Sequence, residues 1–137
     1  MEKAYKGWGS ELTTEISPVE AGLERFVDFS KSFIGREASL SRKLLGINTK
    51  LVYLEVDTND TDCLGNEPVL NGEQIIGVTT SGAYGHSVRK SLAFAYVHPQ
   101  YADPETNIKI RILGQNCSAT VLKEAAYDPQ NLRLKDV

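Results

Sequence analysis

The densest collection of side chains able to do chemistry lies in residues 74–97, a polar, glycine-rich bridge between two apolar runs. Gly82, Tyr84, Gly85, His86, Arg89 and Lys90 sit there within nine positions. A connection of this kind is where ligand contacts concentrate when a rigid scaffold flanks it. Arg89 and Lys90 could attract a carboxylate by charge, although an adjacent basic pair also suits a solvated surface. The glycines give backbone freedom and not a phosphate cradle, since no strand–GxGxxG–helix or GKS/T context surrounds them.

Other polar clusters are poorer in chemistry. Asp57, Asp60 and Asp62 with Asn59 have the composition of a calcium loop, but no glutamate closes the spacing. Cys63 and Cys117 have no CxxC partner, and His86 and His98 are scattered, so no metal-ligand spacing arises. The two cysteines read as unpaired thiols of a reducing compartment, with a disulfide as the alternative. Arg36-Glu37 could touch a cofactor or serve as a pairing residue between structural units. No residue presents itself as a catalytic acid, base or nucleophile.

The elements that would position these groups follow from pattern. Ile75–80 and 92–97 form β-branched and aromatic runs that suit strands, leaving residues 81–90 as a loop. Residues 50–56 read as a strand, residues 57–66 as a loop, and residues 67–70 as a short extended piece that Pro68 marks as an edge. Asn71-Gly72 is the strongest hairpin signal. Ile108, Ile110 and Ile112 alternate with Lys109 and Arg111, the pattern of a strand buried on one face. A turn at 114–116, a strand at 118–123 and a turn at Tyr127-Asp128-Pro129 before a polar tail complete the series. About five or six short strands with turns between them predict a small antiparallel barrel over residues 47–137.

Residues 1–46 differ in character. Residues 1–16 read as irregular. Ser17, Pro18 and Glu20 form a capping-box start for a short helix that ends near Leu23. Residues 25–29 alternate like a strand. Residues 36–45 form a helix with Leu40 and Leu44 on one face, Arg42 and Lys43 in the last turn, and Gly46 as stop. The fold class is therefore α+β: a short mixed α/β segment followed by a small antiparallel β-barrel.

Bulk properties bound the partners. The 137 residues suit one domain or one and a small part, and 15 basic against 18 acidic side chains give a net charge of −3 with no basic block. Nucleic acid is thus excluded as the main partner. No apolar stretch approaches the ~20 residues needed to cross a bilayer, and Met1-Glu2-Lys3-Ala4-Tyr5-Lys6 lacks a signal-peptide apolar core.

The order of motifs resembles a known family. Trp8-Gly9-Ser10-Glu11-Leu12-Thr13, Ser17-Pro18-Val19-Glu20-Ala21-Gly22-Leu23, Phe33-Ile34-Gly35-Arg36-Glu37-Ala38 and Asn66-Glu67-Pro68-Val69 come first. Gly77-Val78-Thr79-Thr80-Ser81-Gly82-Ala83-Tyr84-Gly85-His86, Lys90-Ser91-Leu92-Ala93-Phe94-Ala95-Tyr96-Val97 and Tyr127-Asp128-Pro129 follow. Together they are similar to the C-terminal part of the glycine-cleavage T-protein (aminomethyltransferase) family, in the branch fused to dimethylglycine and sarcosine dehydrogenases. The resemblance implies a tetrahydrofolate site in a ring of subdomains, the last of them a barrel, and transfer of a one-carbon unit from an amine-linked donor. It makes Glu2 the pterin-binding glutamate and Tyr84 a folate contact, the alternatives being a frayed, solvated Glu2 and a loop shaped only by its glycines.

The resemblance also implies that residues 1–46 are the end of an incomplete folate-binding domain. The half of the family pattern that carries the catalytic acid has no counterpart here, so the chain is expected to be a C-terminal fragment, inactive alone. Two further readings stay open: a non-catalytic, stand-alone barrel acting as an interaction or regulatory module, and an incomplete gene product. Apolar surface left without its partner units predicts a homo-oligomer. The expected compartment is the cytoplasm, or the mitochondrial matrix in a eukaryote.

Overall fold

Three isoleucines two residues apart must all point to one side of a strand, and in the computed structural model, which describes residues 1–135, Ile108, Ile110 and Ile112 are all buried while their neighbours face out. That strand is one of six: β1 (Lys50–Asp57), β2 (Pro68–Asn71), β3 (Gln74–Gly85), β4 (Lys90–Val97), β5 (Asn107–Ile112) and β6 (Gln115–Val121). They close into an antiparallel barrel in the order β1-β4-β3-β2-β5-β6. Pairing of Leu54 with Val121 and of Val56 with Ala119 joins the first strand to the last. The fold is α+β, a barrel preceded by a short, mostly irregular segment with few helices.

Closure sorts the side chains of each strand. Val52, Leu54 and Val56 of β1 and Ala93, Ala95 and Val97 of β4 fill the interior with Val69, Ile76 and the three isoleucines. A fully buried aliphatic side chain contributes on the order of 1.5–3 kcal/mol, so this apolar interior is the main source of stability. The opposite faces of the same strands carry Tyr53, Leu92 and Phe94, which pack with Met1, Ala4, Val88, Leu122 and Ala126 in a second, outer layer. Tyr53 and Phe94 meet with ring centroids 5.1 Å apart.

Several details depart from the sequence expectation. Most of the expected loop at 81–90 is strand: β3 runs to Gly85 with a register shift between Thr79 and Ser81, and only residues 86–89 turn. Pro68 opens β2 but leaves no free edge, because β2 pairs with β3 on one side and β5 on the other. The turn into β6 is shorter than expected and uses Leu113 and Gly114, both with positive φ.

Residues 17–23 form turns closed by Ala21 N–H to Ser17 O and Leu23 N–H to Pro18 O, without becoming a helix. The capping-box contacts are nonetheless made: Ser17 N–H and Oγ donate to Glu20 Oε2 at 2.8 and 2.6 Å. Where a strand was expected at 25–29, a 3-10 turn (Glu24–Phe26) stands instead, since no neighbouring strand is there to pair with it.

Helix α1 (Arg36–Leu45) starts at Gly35 and stops at Gly46, whose N–H reaches Arg42 O. Its Leu40 is half-buried and Leu44 is exposed. Ion pairs rather than an apolar face hold it: Arg42 to Glu20 and Lys43 to Glu24, each at 2.6 Å. Past the turn at 127–129, the tail forms a single helical turn, α2 (Leu132–Lys135); Asp136 and Val137 of the expected polar tail lie outside the described residues.

Candidate functional site

The β3–β4 connection is short because the ladder persists to the pairs Tyr84–Ser91 and Gly85–Lys90. Its four turn residues close with Arg89 N–H on Gly85 O at 2.6 Å, and Arg89 takes a left-handed φ of 56°. A turn this tight leaves backbone donors without ladder partners. Glu2 supplies them: its Oε1 accepts from Ser87 N–H at 2.6 Å and Val88 N–H at 3.3 Å, and its Oε2 from Ser87 Oγ at 3.0 Å.

Desolvation opposes ionisation of Glu2, but these donors outweigh it and hold the carboxyl below the usual carboxylate range. The approach needs a glycine, because a Cβ on Gly85 would come within 2.9 Å of Glu2 Cγ. Far from fraying, the Glu2 backbone is clamped: its carbonyl accepts from Tyr127 N–H at 3.0 Å, and Lys3 pairs with Asp128 at 2.9 Å.

Tyr84 lies on the same hairpin. It is 44 % exposed, and its ring meets the edge of His86 at 5.1 Å. It lines an open cleft of about 440 Å³ together with Glu55, Asp57, Arg89 and Lys90, in which Lys90 and Glu55 pair at 2.6 Å. Glu2 and Tyr84 are thus brought to one end of the barrel, though Glu2 does not line the Tyr84 cleft.

The remaining candidates have structural partners. Arg36 donates through Nε to Phe29 O and through Nη1 to Glu37. Asp62 accepts from Ser91 Oγ at 2.5 Å. Cys63 and Cys117 are free; Cys63 is fully buried, and burial, followed by the nearby Glu67 charge, pushes its thiol up to about 12. Among the described residues, no group of three or more His, Cys, Asp and Glu side chains could hold a metal ion.

The sequence reading missed Glu11. It is 2 % exposed, yet its carboxylate accepts from Thr80 Oγ1 and Ser81 Oγ at 2.6 Å each, from Gly7 N–H at 2.7 Å and from Ser10 Oγ at 3.0 Å. Burial alone would raise its pKa; the four donors, Ser81 and Thr80 foremost, win and lower it. Tyr96 OH donates to the Glu11 carbonyl at 2.8 Å. Residues 1–12 therefore form a strap across the outside of the barrel, fixed at one end by Glu2 and at the other by Glu11. The signal available in sequence was a lone acid beside Trp8-Gly9-Ser10, whose principal donors lie about seventy positions away.

Residues 49–128 match the family described as the glycine cleavage T-protein C-terminal barrel domain. Dimethylglycine dehydrogenase of Mus musculus mitochondria is 41% identical over 98% of this chain, which spans 16% of that protein. Aminomethyltransferase of Aquifex aeolicus is 34% identical over 85% of the chain, which spans 32% of that protein. The crystal structure of the glycine cleavage system aminomethyltransferase T from Bartonella henselae superimposes with a TM-score of 0.86 at 23% identity, covering 93% of this chain and 37% of that one. The chain thus spans well under half the length of these relatives, and the likeness extends beyond the barrel into the strap. On that match, and on a closed six-stranded barrel that meets it in every strand from β1 to β6, the chain belongs to the glycine cleavage T-protein C-terminal barrel family.

Proposed function

We propose that this chain is the C-terminal portion of a tetrahydrofolate-dependent aminomethyltransferase-like protein, which transfers a one-carbon unit from an amine donor such as glycine, dimethylglycine or sarcosine. In this reading, residues 1–46 end a folate-binding domain and residues 47–137 form the barrel domain. The observation that carries it is Glu2, a part-exposed carboxylate fixed on the β3–β4 turn by Ser87. A carboxylate can accept hydrogen bonds from a 2-amino-pyrimidinone edge, and here the open position is on Oε2, because Oε1 already accepts from two backbone N–H groups.

The residues fit a pterin in one respect that geometry allows. Among the described residues, Oε2 accepts only from the rotatable Ser87 hydroxyl, so it keeps acceptor capacity for a ligand. Tyr84 offers an exposed ring for a stacking or polar contact. Bound tetrahydrofolate would supply the nitrogens that accept the one-carbon unit. This chain contributes binding groups and no catalytic acid, so the purified chain is expected to transfer no one-carbon unit; formation of methylene-tetrahydrofolate from any of the three donors would overturn that.

Isothermal titration with 5-formyltetrahydrofolate tests the site. Saturable heat that Glu2→Gln weakens about tenfold supports it. Absence of binding favours the second reading, a non-catalytic barrel module, for which all the donors on Glu2 lying within the chain speak. Trp8, Phe26, Ile34, Leu44 and Leu45 are exposed on the first 46 residues, and apolar surface of this kind drives association. A homo-oligomer is the expected state, and a monomer by light scattering at high concentration would contradict it. Among the described residues no helix is long and apolar enough to cross a membrane; in a eukaryote the proposed compartment is the mitochondrial matrix, as for the mitochondrial relatives, and otherwise the cytoplasm.

A further inference from the structure

A concave surface lies on the flank of the barrel between the strap and the chain that follows β6. It is a cleft of about 500 Å³, within the size range of small-molecule sites. Leu51, Phe94 and Leu122 are on its floor.

Its walls carry an unbalanced charge in an otherwise acidic protein. Lys6 comes from the strap, Arg25 from the 3-10 turn, Lys50 from the start of β1 and Lys123 from just after β6. Among the described residues none of these four forms an ion pair. Of the acids on the lining, Asp128 is taken up by Lys3, and Glu124 pairs with none of the four.

Cations gathered without counter-charges repel one another, and an anion placed among them removes that repulsion. Desolvation, followed by the Arg25 charge, lowers the Lys6 pKa, and the Glu11 carboxylate only partly offsets them. A guanidinium beside ammonium groups suits a doubly charged oxyanion, because Arg can bind two oxygens in parallel while Lys adds point charge.

We propose that this cleft binds a small polyanion bearing phosphate or clustered carboxylate groups, held by Lys6, Arg25, Lys50 and Lys123 above an apolar floor. The assignment does not rest on the folate reading: Glu2, Ser87 and Tyr84 do not line the cleft.

The test is a nuclear magnetic resonance titration of the 137-residue chain at constant ionic strength, with pyrophosphate in one arm, citrate in another and chloride as the reference. Saturable shifts at the amides of Lys6, Arg25, Lys50 and Lys123 are expected in at least one arm. Response to pyrophosphate alone identifies a phosphate ligand, and response to citrate alone a polycarboxylate. The double variant Lys6→Gln/Arg25→Gln should lose at least tenfold in affinity, whereas Lys109→Gln, on β5 and not on the cleft lining, should lose none. Should the double variant fail to give a folded spectrum, Lys50→Gln alone must weaken binding at least threefold. Linear, unsaturable shifts scattered over the surface, or unchanged affinity in the cleft variants, would overturn the proposal.

Discussion

The two faces of β4 are built on different physics. Its inner face, Ala93, Ala95 and Val97, meets the aliphatic side chains of the barrel interior and needs nothing but exclusion of water. Its outer face, Leu92, Phe94 and Tyr96, lies under segments from the two ends of the chain, and those segments are held largely by polar groups. Glu11 inserts a charge between the strap and the β3 bulge, and Glu20 joins the following turn to α1 through Ser17 and Arg42. The inner layer is a matter of volume; the outer one depends on protonation state. One barrel wall therefore supports a core that resists changes of solution conditions and a cover that responds to them.

Breaking the inner layer should have the largest effect. Ile110 is fully buried, and Ile110→Ala is expected to cost about 3–4 kcal/mol through lost burial and a residual cavity, seen as a lowered urea midpoint. Glu11→Gln strikes the outer layer. Replacing the carboxylate with an amide that cannot satisfy all four donors should cost about 2–3 kcal/mol. Hydrogen exchange should then rise in residues 7–12 while the amides of β5 and β6 stay protected; uniform loss of protection would erase the distinction between the layers.

Acid sharpens the same contrast. Glu11 and Glu20 have lowered pKa values in the folded chain, so their stabilisation is complete above the ordinary carboxylate value of 4.5 and disappears as pH falls through the depressed folded values. Tm measured from pH 7 to pH 3 should fall less steeply in Glu11→Gln than in the unaltered chain. Equal slopes would mean that Glu11 is not the group responsible. The smallest effect belongs to Lys90→Ala, which removes a half-exposed ion pair with Glu55 and should change stability by less than about 1 kcal/mol in chemical denaturation.

The strands of the barrel were legible wherever alternation was local. Ile108, Ile110 and Ile112 carry their orientation in their spacing, and Asn71-Gly72 turns the chain where the pattern places it. Residues 81–85 were misread because Ser81, Gly82 and Ala83 are small for a reason that lies elsewhere: a Cβ on Gly82 would come within 2.6 Å of the Cys63 carbonyl oxygen, where the preceding loop crosses the strand. Smallness that looks like a loop in sequence is here the mark of two backbones in close approach. Residues 25–29 show the converse error, since alternation without a neighbouring strand makes no ladder.

The site divides in the same way. Glu2 and Tyr84 were singled out through resemblance, and the hairpin brings both to one end of the barrel. Glu11 and the Ser87 donors escaped notice because their partners are separated by 69, 70 and 85 positions, and no local pattern marks such pairs.

The clamp between Lys3 and Asp128 joins positions 125 apart, and Tyr127 N–H binds Glu2 O beside it. A ribosome makes the first of these partners long before the second. Until residues 115–128 have emerged, β1 has no β6 to pair with and the strap cannot complete its clamp. Residues 1–114 must therefore wait with Phe94, Leu92 and Tyr53 uncovered, and the meeting of the strap with residues 127 and 128 comes late. Non-local closure of this sort is slow, and exposed apolar surface during the wait favours aggregation. Asp128→Ala, which breaks this clamp, should thus harm soluble yield far more than the loss of one ion pair would suggest.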